Sequence, residues 1–492
     1  MPDCGVHPVK SLKPRAPHQP LLQAGSKLVL ATAALTMAST TANAETAELI
    51  RTAATDTQQL EMLSEALPPL SERIKALEAQ QFSTTTVLRG ESNVVMGNLY
   101  TYGSVVNHNT NSALGEPLRN GISVNYETKL YLDTSFTGED LLHIRLRSGN
   151  FQPSAFWFSE PTPLTRLQLG WETRPCTSTA DVNCPSRYSV GINRFYYQFP
   201  VSSTLETTIG ARVSQVDMLP VFPSVYTDSR ILQLFQFAGA QGAYSRRLGA
   251  GFGLSWKPTG WLKGFSLGLL TVQANAEEGD ASEGGLFTNA SGEANTAQIA
   301  FTRPHWNISF AYTYNGSPIR IRGTPLANSL TRDAVDAKVD SYGLSGYWQP
   351  STSGWIPSVS AGLGYDAIRF RSYSLPSVQA ANTRSWMVGL VWKNVLRPAY
   401  SLGFAIGSPT YVGSLTSSTS SKVSDGLIAA ELYYRIQLTN HIQIVPAIFW
   451  ISRPRGAMTA STDAVAAIEQ PGSNDAASLS TLGSLVQVTV RF

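Results

Sequence analysis

Val486-Gln-Val-Thr-Val-Arg-Phe492 ends the chain in strict alternation, apolar side chains on one step and Gln, Thr and Arg on the next. In an extended strand successive side chains point to opposite faces, so this stretch is greasy on one side and wet on the other. The same period recurs in His143-Ile-Arg-Leu-Arg147, Thr165-Arg-Leu-Gln-Leu169, Tyr433-Tyr-Arg-Ile-Gln-Leu438 and His441-Ile-Gln-Ile444. Two stacked soluble sheets would alternate as well, so the period alone does not choose the fold.

Connection lengths choose it. Reading back from Phe492, strands are joined in turn by long polar stretches (452–480, 407–424, 367–383, 315–336 and 274–294) and by short turns. The turns fall near Thr439-Asn440, Asn394 to Pro398, Pro350 to Gly354, Pro304-His305 and Pro258 to Lys263. Long loops on one side and tight turns on the other mark an all-β, transmembrane antiparallel barrel. Candidate strands from residue 82 onward number about 16, with 16 to 18 as the range, enough to enclose water. The stretch 150–187 is either one long loop or a loop that contains a strand over 164–171. The last strand descends from a long loop, which puts the C-terminus on the short-turn, periplasmic side. Trp171, Tyr196, Tyr197, Trp256, Trp261, Trp306, Tyr347, Trp348, Trp355, Trp386, Trp392 and Trp450 are read as strand-end aromatics of interfacial girdles.

Composition agrees. Charged residues make up 14% of the chain, against about 25% in ordinary soluble domains. No run of apolar residues after Glu45 is long enough for a membrane helix. Lys10, Lys13, Arg15 and Lys27 followed by the apolar Leu28–Ala38 and by Ala42-Asn43-Ala44 read as a signal peptide over 1–44, cleaved between Ala44 and Glu45. Without it, basic and acidic residues balance at 33 each, which gives no support to nucleic-acid binding. Cys176 and Cys184, in a polar segment, read as a disulfide closing a surface loop in an oxidising compartment. The metal alternative lacks a nearby His, and neither a metal nor a cofactor is expected.

Residues 45–81 are different. Leu60, Leu63, Leu67, Leu70, Ile74 and Leu77 lie on one helical seam, interrupted by Pro68 and Pro69. This is either an amphipathic helix lying on the protein or a coiled-coil oligomerisation stalk.

Lys75-Ala-Leu-Glu-Ala-Gln-Gln-Phe-Ser-Thr-Thr-Thr86 with Leu88-Arg-Gly-Glu91 resembles the start of the barrel in cyanobacterial porins of the carbohydrate-selective, OprB-type family, often labelled iron uptake porins. Thr137-Gly-Glu-Asp-Leu-Leu142, Met218-Leu-Pro-Val-Phe-Pro-Ser-Val-Tyr226, Ala238-Gly-Ala-Gln-Gly-Ala-Tyr244 and Tyr434-Arg-Ile-Gln-Leu-Thr-Asn-His-Ile-Gln-Ile-Val-Pro446 are similar to it too. The resemblance implies a homotrimeric barrel of 16 strands in the cell outer membrane, its partners the lipid bilayer and the solutes that pass: sugars, inorganic ions or iron. Many members carry an S-layer-homology domain before the coiled coil. None is evident between Glu45 and Leu60, which puts peptidoglycan binding by that route in question.

A porin works through its lining. Alternation points Arg145, Arg147, Arg166, Arg435 and Arg491 into the lumen, with Gln168, Gln437, Gln443 and Gln487 beside them. Such arginines either favour anions and polyols or pair with lumen acids and fill space. The segment 214–243, with Asp217, Asp228 and Arg230, is either a loop folded into the pore to set its size limit or an outside loop packed on a neighbouring subunit. Glu277-Glu278-Gly-Asp280 reads as a solvated loop. No His sits in a nucleophile elbow, so an enzyme is not expected. Residues 45–81 are also too short for the plug of a gated receptor. A structural tether between outer membrane and wall is the remaining alternative.

Overall fold

The computed structural model describes residues 85–492 except 104–120, 152, 153, 155, 157–161, 172–188, 227–229, 320, 333–336, 353, 371–377, 418–422, 461–466 and 469–478. The expected signal peptide, its cleavage site at Ala44 and Glu45, and the helical segment 45–81 lie outside the described residues, as do Cys176, Cys184 and Asp228.

Sixteen strands follow one another around a closed barrel. They are β1 (Thr86–Tyr102), β2 (Ser123–Thr134), β3 (Leu141–Gly149), β4 (Gly191–Pro200), β5 (Leu205–Ser214), β6 (Leu248–Trp256), β7 (Phe265–Gln273), β8 (Glu293–Arg303), β9 (Trp306–Asn315), β10 (Lys338–Trp348), β11 (Ser358–Arg369), β12 (Val378–Lys393), β13 (Ser401–Ser417), β14 (Ala429–Gln437), β15 (Ile442–Ser452) and β16 (Ser480–Arg491). β1 and β16 close the wall in unbroken antiparallel register from Glu91 opposite Arg491 to Tyr102 opposite Ser480. Beyond that register Gly90 N donates to Phe492 O at 2.6 Å and Phe492 N to Gly90 O at 3.0 Å.

Burial follows the predicted period. Along β1, Val94 and Met96 are 43% and 52% exposed while Val95 between them is fully buried. Ile299, Ile308, Phe310, Leu344, Leu363, Ile448 and Leu482 extend this apolar outer face, the surface that meets lipid. The connections after the odd-numbered strands (103–122, 150–190, 215–247, 274–292, 316–337, 370–377, 418–428 and 453–479) all leave from one end of the barrel, and most are long as expected, but the loop expected over 367–383 is shorter, because β11 runs to Arg369 and β12 begins at Val378. The connections 135–140, 201–204, 257–264, 304–305, 349–357, 394–400 and 438–441 are at the other end. Trp256, Trp261, Trp306, Trp348 and Trp355 are exposed at the short-turn side, where a girdle belongs.

Three further expectations are corrected. The stretch 407–424 is largely strand rather than loop, because β13 runs on to Ser417 past Pro409. Its register with β12 slips between Arg384 and Trp386, and such a bulge accommodates a residue that cannot donate to the ladder. Residues 164–171 do not form a wall strand: Pro163–Thr165 is a 3-10 turn, and Leu167 makes a lone bridge to Leu232. Their alternation comes from packing within a loop. Finally, Tyr196 is buried in the lumen and Trp386 lies in the middle of β12, so neither belongs to a girdle.

Candidate functional site: the barrel lumen

The inner face differs around the barrel. From β6 to β13 it is built of small residues, among them Gly253, Gly268, Ala311, Gly343, Gly362, Ser385 and Ala405. The loop 215–247 lies against this wall. A Cβ at Gly362 would sit 2.6 Å from the Ala238 Cβ, and one at Gly389 would sit 2.6 Å from the Tyr226 ring. Glycine is therefore required where backbone and loop approach this closely. Phe237, Ala238 and Gly239 all adopt positive φ (57°, 51° and 80°) at that contact.

Polar bonds pin the same loop. Gln215 Nε2 donates to Ala243 O at 2.9 Å, and Gln298 Nε2 to Val221 O at 2.9 Å and to the Tyr244 hydroxyl at 3.1 Å. The Glu431 carboxylate on β14 accepts from Leu232 N (2.6 Å), Ile231 N (3.2 Å) and the Tyr226 hydroxyl (2.8 Å). A second loop, 150–190, pairs with the first through Gln168 N to Ile231 O (2.8 Å) and Gln233 N to Arg166 O (3.0 Å). Phe151, Phe156, Leu167, Ile231, Leu232 and Phe235 of these loops form one buried cluster with Val95, Tyr433 and Phe449 of the wall. The packed core thus reaches from the small-residue wall round β14 and β15 to Val95 and Leu99 of β1, and the lumen is not the uniformly wet hollow that strand alternation implies.

The wall from β1 to β4 is charged. Lys129 lies 3.4 Å from Glu91 and 3.2 Å from Glu127, and Arg147 pairs with Glu127. Asn93 Nδ2 bridges the two glutamates at 3.1 and 3.3 Å. His143 Nδ1 is 2.6 Å from Asp133, which also pairs with Arg89. Taking such groups out of water is costly unless each finds a partner, and this alternation of sign supplies one for each.

The sequence-predicted lining residues divide between wall and loops. Arg145 and Arg147 point inward from β3: Arg145 Nε donates to Asn193 Oδ1 at 2.8 Å, and the Arg147 guanidinium stands 4.4 Å from the Trp171 ring centre. Arg491 is 3.5 Å from Glu91 and within 3.4 Å of Gln443. Arg435 shares the inward parity of Glu431 and Tyr433 near the short-turn end. Gln487 is buried on the inner face of β16. Gln437 closes the β14–β15 turn, donating to Thr439 O at 2.7 Å. Arg166 and Gln168 are corrected in origin: both are buried, but on the loop 150–190.

At the start of the loop 215–247, Asp217 pairs with Arg194 and accepts from Ser214 N at 2.9 Å. Further on, Arg230 Nη1 donates to Tyr226 O at 3.1 Å. Glu91, Glu127, Lys129, Arg194, Arg322 and Glu431 were not anticipated. Glu127 and Lys129 were legible, because polar residues recur at every second position in Asn125-Tyr-Glu-Thr-Lys129.

Outside the strands, two carboxylates organise connections. Asp140 in the β2–β3 turn accepts from Thr137 N and Oγ1 (both 2.7 Å), Tyr197 Oη (2.7 Å) and Ser135 Oγ (2.9 Å). Desolvation pushes its carboxyl up, but these bonds outweigh it and hold it below the usual carboxylate range. Asp425 accepts from Thr324 Oγ1, Val412 N (2.8 Å) and Ala457 N (2.9 Å), tying the loops 316–337 and 453–479 and the far end of β13 to its own connection. Burial pushes its carboxyl up to about 6, against those same hydrogen bonds. Among the described residues no three His, Cys, Asp or Glu side chains gather as metal ligands would.

The sequence model of the carbohydrate-selective porin, OprB family, matches residues 60–474. An uncharacterized protein of Synechocystis sp. is 24% identical over 432 residues, covering 82% of this chain and 72% of the relative. One of Nostoc sp. is 25% identical over 419 residues, covering 80% and 66%. The chain thus spans about seven tenths and just under two thirds of their respective lengths. Among solved structures, a high-pH structure of Pseudomonas putida OprB superposes with a TM-score of 0.50 at 10% identity, over 83% of this chain and 94% of that one.

Proposed function

Because the chain belongs to the OprB family of carbohydrate-selective porins, it is an outer-membrane porin that passes small hydrophilic solutes passively, and we propose that sugars cross it along the charged β1–β4 side. Inorganic ions, iron among them, share that route, and no catalytic role is assigned. The closed 16-stranded barrel with a loop clamped to its inner wall carries this reading, since a lumen loop sets a size limit. Arg145, Arg147, Arg435 and Arg491 line the passage from the wall and Arg166 and Gln168 from the loop 150–190, while Asp217, Asp228 and Arg230 belong to the segment that narrows it.

Further parts of the proposal concern the mature particle. The chain is cleaved between Ala44 and Glu45, residues 45–81 form a helical oligomerisation segment, Cys176 and Cys184 pair as a disulfide, and three copies assemble. Residue spacing and the family's habits support these readings.

Single-channel recording of purified protein tests the central claim. Ohmic steps are expected, and in a KCl gradient the inward arginines shift the reversal potential toward that of chloride. A protein that inserts without conducting contradicts the passage.

A further inference from the structure

The outer rim of the barrel at its short-turn end is unevenly charged. Along the arc from β6 to β13 the turns and the strand ends beside them carry Lys257, Lys263, Arg303, Lys393 and Arg397, all exposed. Not one Asp or Glu lies in the stretches 254–268, 299–309, 345–362 and 389–406 that make up this rim. None of the five cations forms an ion pair among the described residues. The long-loop end of the same arc is different, for there Arg369 pairs with Asp340. The opposite arc differs too, its β2–β3 turn holding Glu139 and Asp140.

Aromatic rings are set among these cations. Trp261 and Trp355 project from two of the turns at 91% and 97% exposure. Phe265, Phe301 and Trp306 form a strip across β7, β8 and β9 with ring centres 4.7 and 5.5 Å apart, and the Arg303 guanidinium stands 4.6 Å from the centre of the Phe301 ring. Trp392 Nε1 donates to Trp355 O at 3.0 Å, which fixes one turn against the next strand. Further up the wall, Leu267, Ile299, Ile308 and Leu363 continue the surface as bare apolar side chains. An indole is best served at the headgroup level of a bilayer, where its ring meets hydrocarbon and its N–H meets water. The rim therefore stands where the wall leaves the hydrocarbon, and its cations stand at the depth of the headgroups.

We infer that this rim selects, from the periplasmic leaflet, lipids whose headgroups carry a net negative charge. Lys257, Lys263, Lys393 and Arg397 meet the anionic groups, while Trp261 and Trp355 seat the band at the right depth. Lys and Arg clustered at a membrane surface attract anionic lipid. A second copy of the chain is the poorer occupant, because apposing the same arc would set like charge against like charge. The band also follows the curve of the wall across eight of the sixteen strands and runs on into the lipid-facing surface. The inference rests on the outer-membrane reading and adds to it a choice among lipids.

The test places full-length protein in vesicles of equimolar phosphatidylcholine and phosphatidylglycerol, with bromine on the acyl chains of one lipid or the other, and reads tryptophan fluorescence. Brominated phosphatidylglycerol is expected to quench more strongly, at an enrichment beside the protein of about 5-fold or more. Lys257→Gln, Lys263→Gln, Lys393→Gln and Arg397→Gln combined should bring that enrichment down to about 2-fold or less. Equal quenching by the two lipids overturns the inference, and so does an enrichment that the substituted protein keeps. Should the substituted protein fail to fold, the wild type in about 1 M salt decides: screening then acts within about 3 Å, the enrichment must fall with it, and one unmoved by salt ends the idea. Quenching by neither lipid would strike the outer-membrane reading as well, so the two failures are told apart.

Discussion

At the scale of single residues, Asp425 couples the long loops to pH. Its carboxyl is buried, so burial raises its folded value to about 6, above that of an unfolded aspartate. A group raised in this way contributes most below its unfolded value and loses that contribution as pH climbs through the folded one. The joint among Thr324, Val412 and Ala457 should therefore tighten between pH 7 and pH 4. Hydrogen exchange at the Val412 and Ala457 amides, corrected for intrinsic rates, should show greater protection at pH 5 than at pH 7, and Asp425→Asn should abolish the difference. Equal protection at both values would contradict a buried, proton-holding Asp425. Sequence gave no warning of this joint. Ser424-Asp425-Gly426 looks like any polar turn until folding gathers two other loops around it.

At the scale of elements, the relation between β11 and the loop 215–247 is the decisive one. Gly362→Val would drive a branched side chain into Ala238, whose Cβ lies 2.6 Å from where the new Cβ would stand. Wall or loop must yield, at a cost of about 1–3 kcal/mol. The expected outcome is a barrel that still assembles but unfolds at lower temperature and conducts differently from wild type. An unchanged conductance would mean the loop does not shape the passage. Much at this scale was readable beforehand. Period two along β3 and β16 placed Arg145, Arg147 and Arg491 on the inner face, because one buried face fixes strand register. The reading failed at Thr165-Arg-Leu-Gln-Leu169, where the same period arises from a loop segment bridging Leu232, and at 407–424, where Pro409 in a Ser- and Thr-rich run hid a bulged strand.

At the scale of the whole molecule, closure depends on one seam. β1 and β16 are far apart in sequence and meet in twelve consecutive pairings, from Glu91 with Arg491 to Tyr102 with Ser480. Removing residues 486–492 would delete the inward Gln487, Thr489 and Arg491 and leave β1 and β15 with open edges, which lipid cannot satisfy. Such a truncation should lose the fast-migrating folded band that unheated barrels show on SDS gels, whereas Phe492→Leu, which keeps every pairing, should retain it. A folded band from the truncated chain would contradict the seam. Barrel type and strand number were legible because loop length and alternation are properties of the entire chain. The filling of the lumen was not, since nothing local distinguishes a loop that turns inward from one that faces water.

The fastening of the loop 215–247 along the wall has a practical consequence. Its apolar underside and the glycine-rich strands beneath it cover one another, so the loop belongs to the folding core and is not a detachable gate. Anyone wishing to rebore the channel would have to redesign both surfaces together, since excising the loop alone would strip the cover from a strip of interior shaped to receive it.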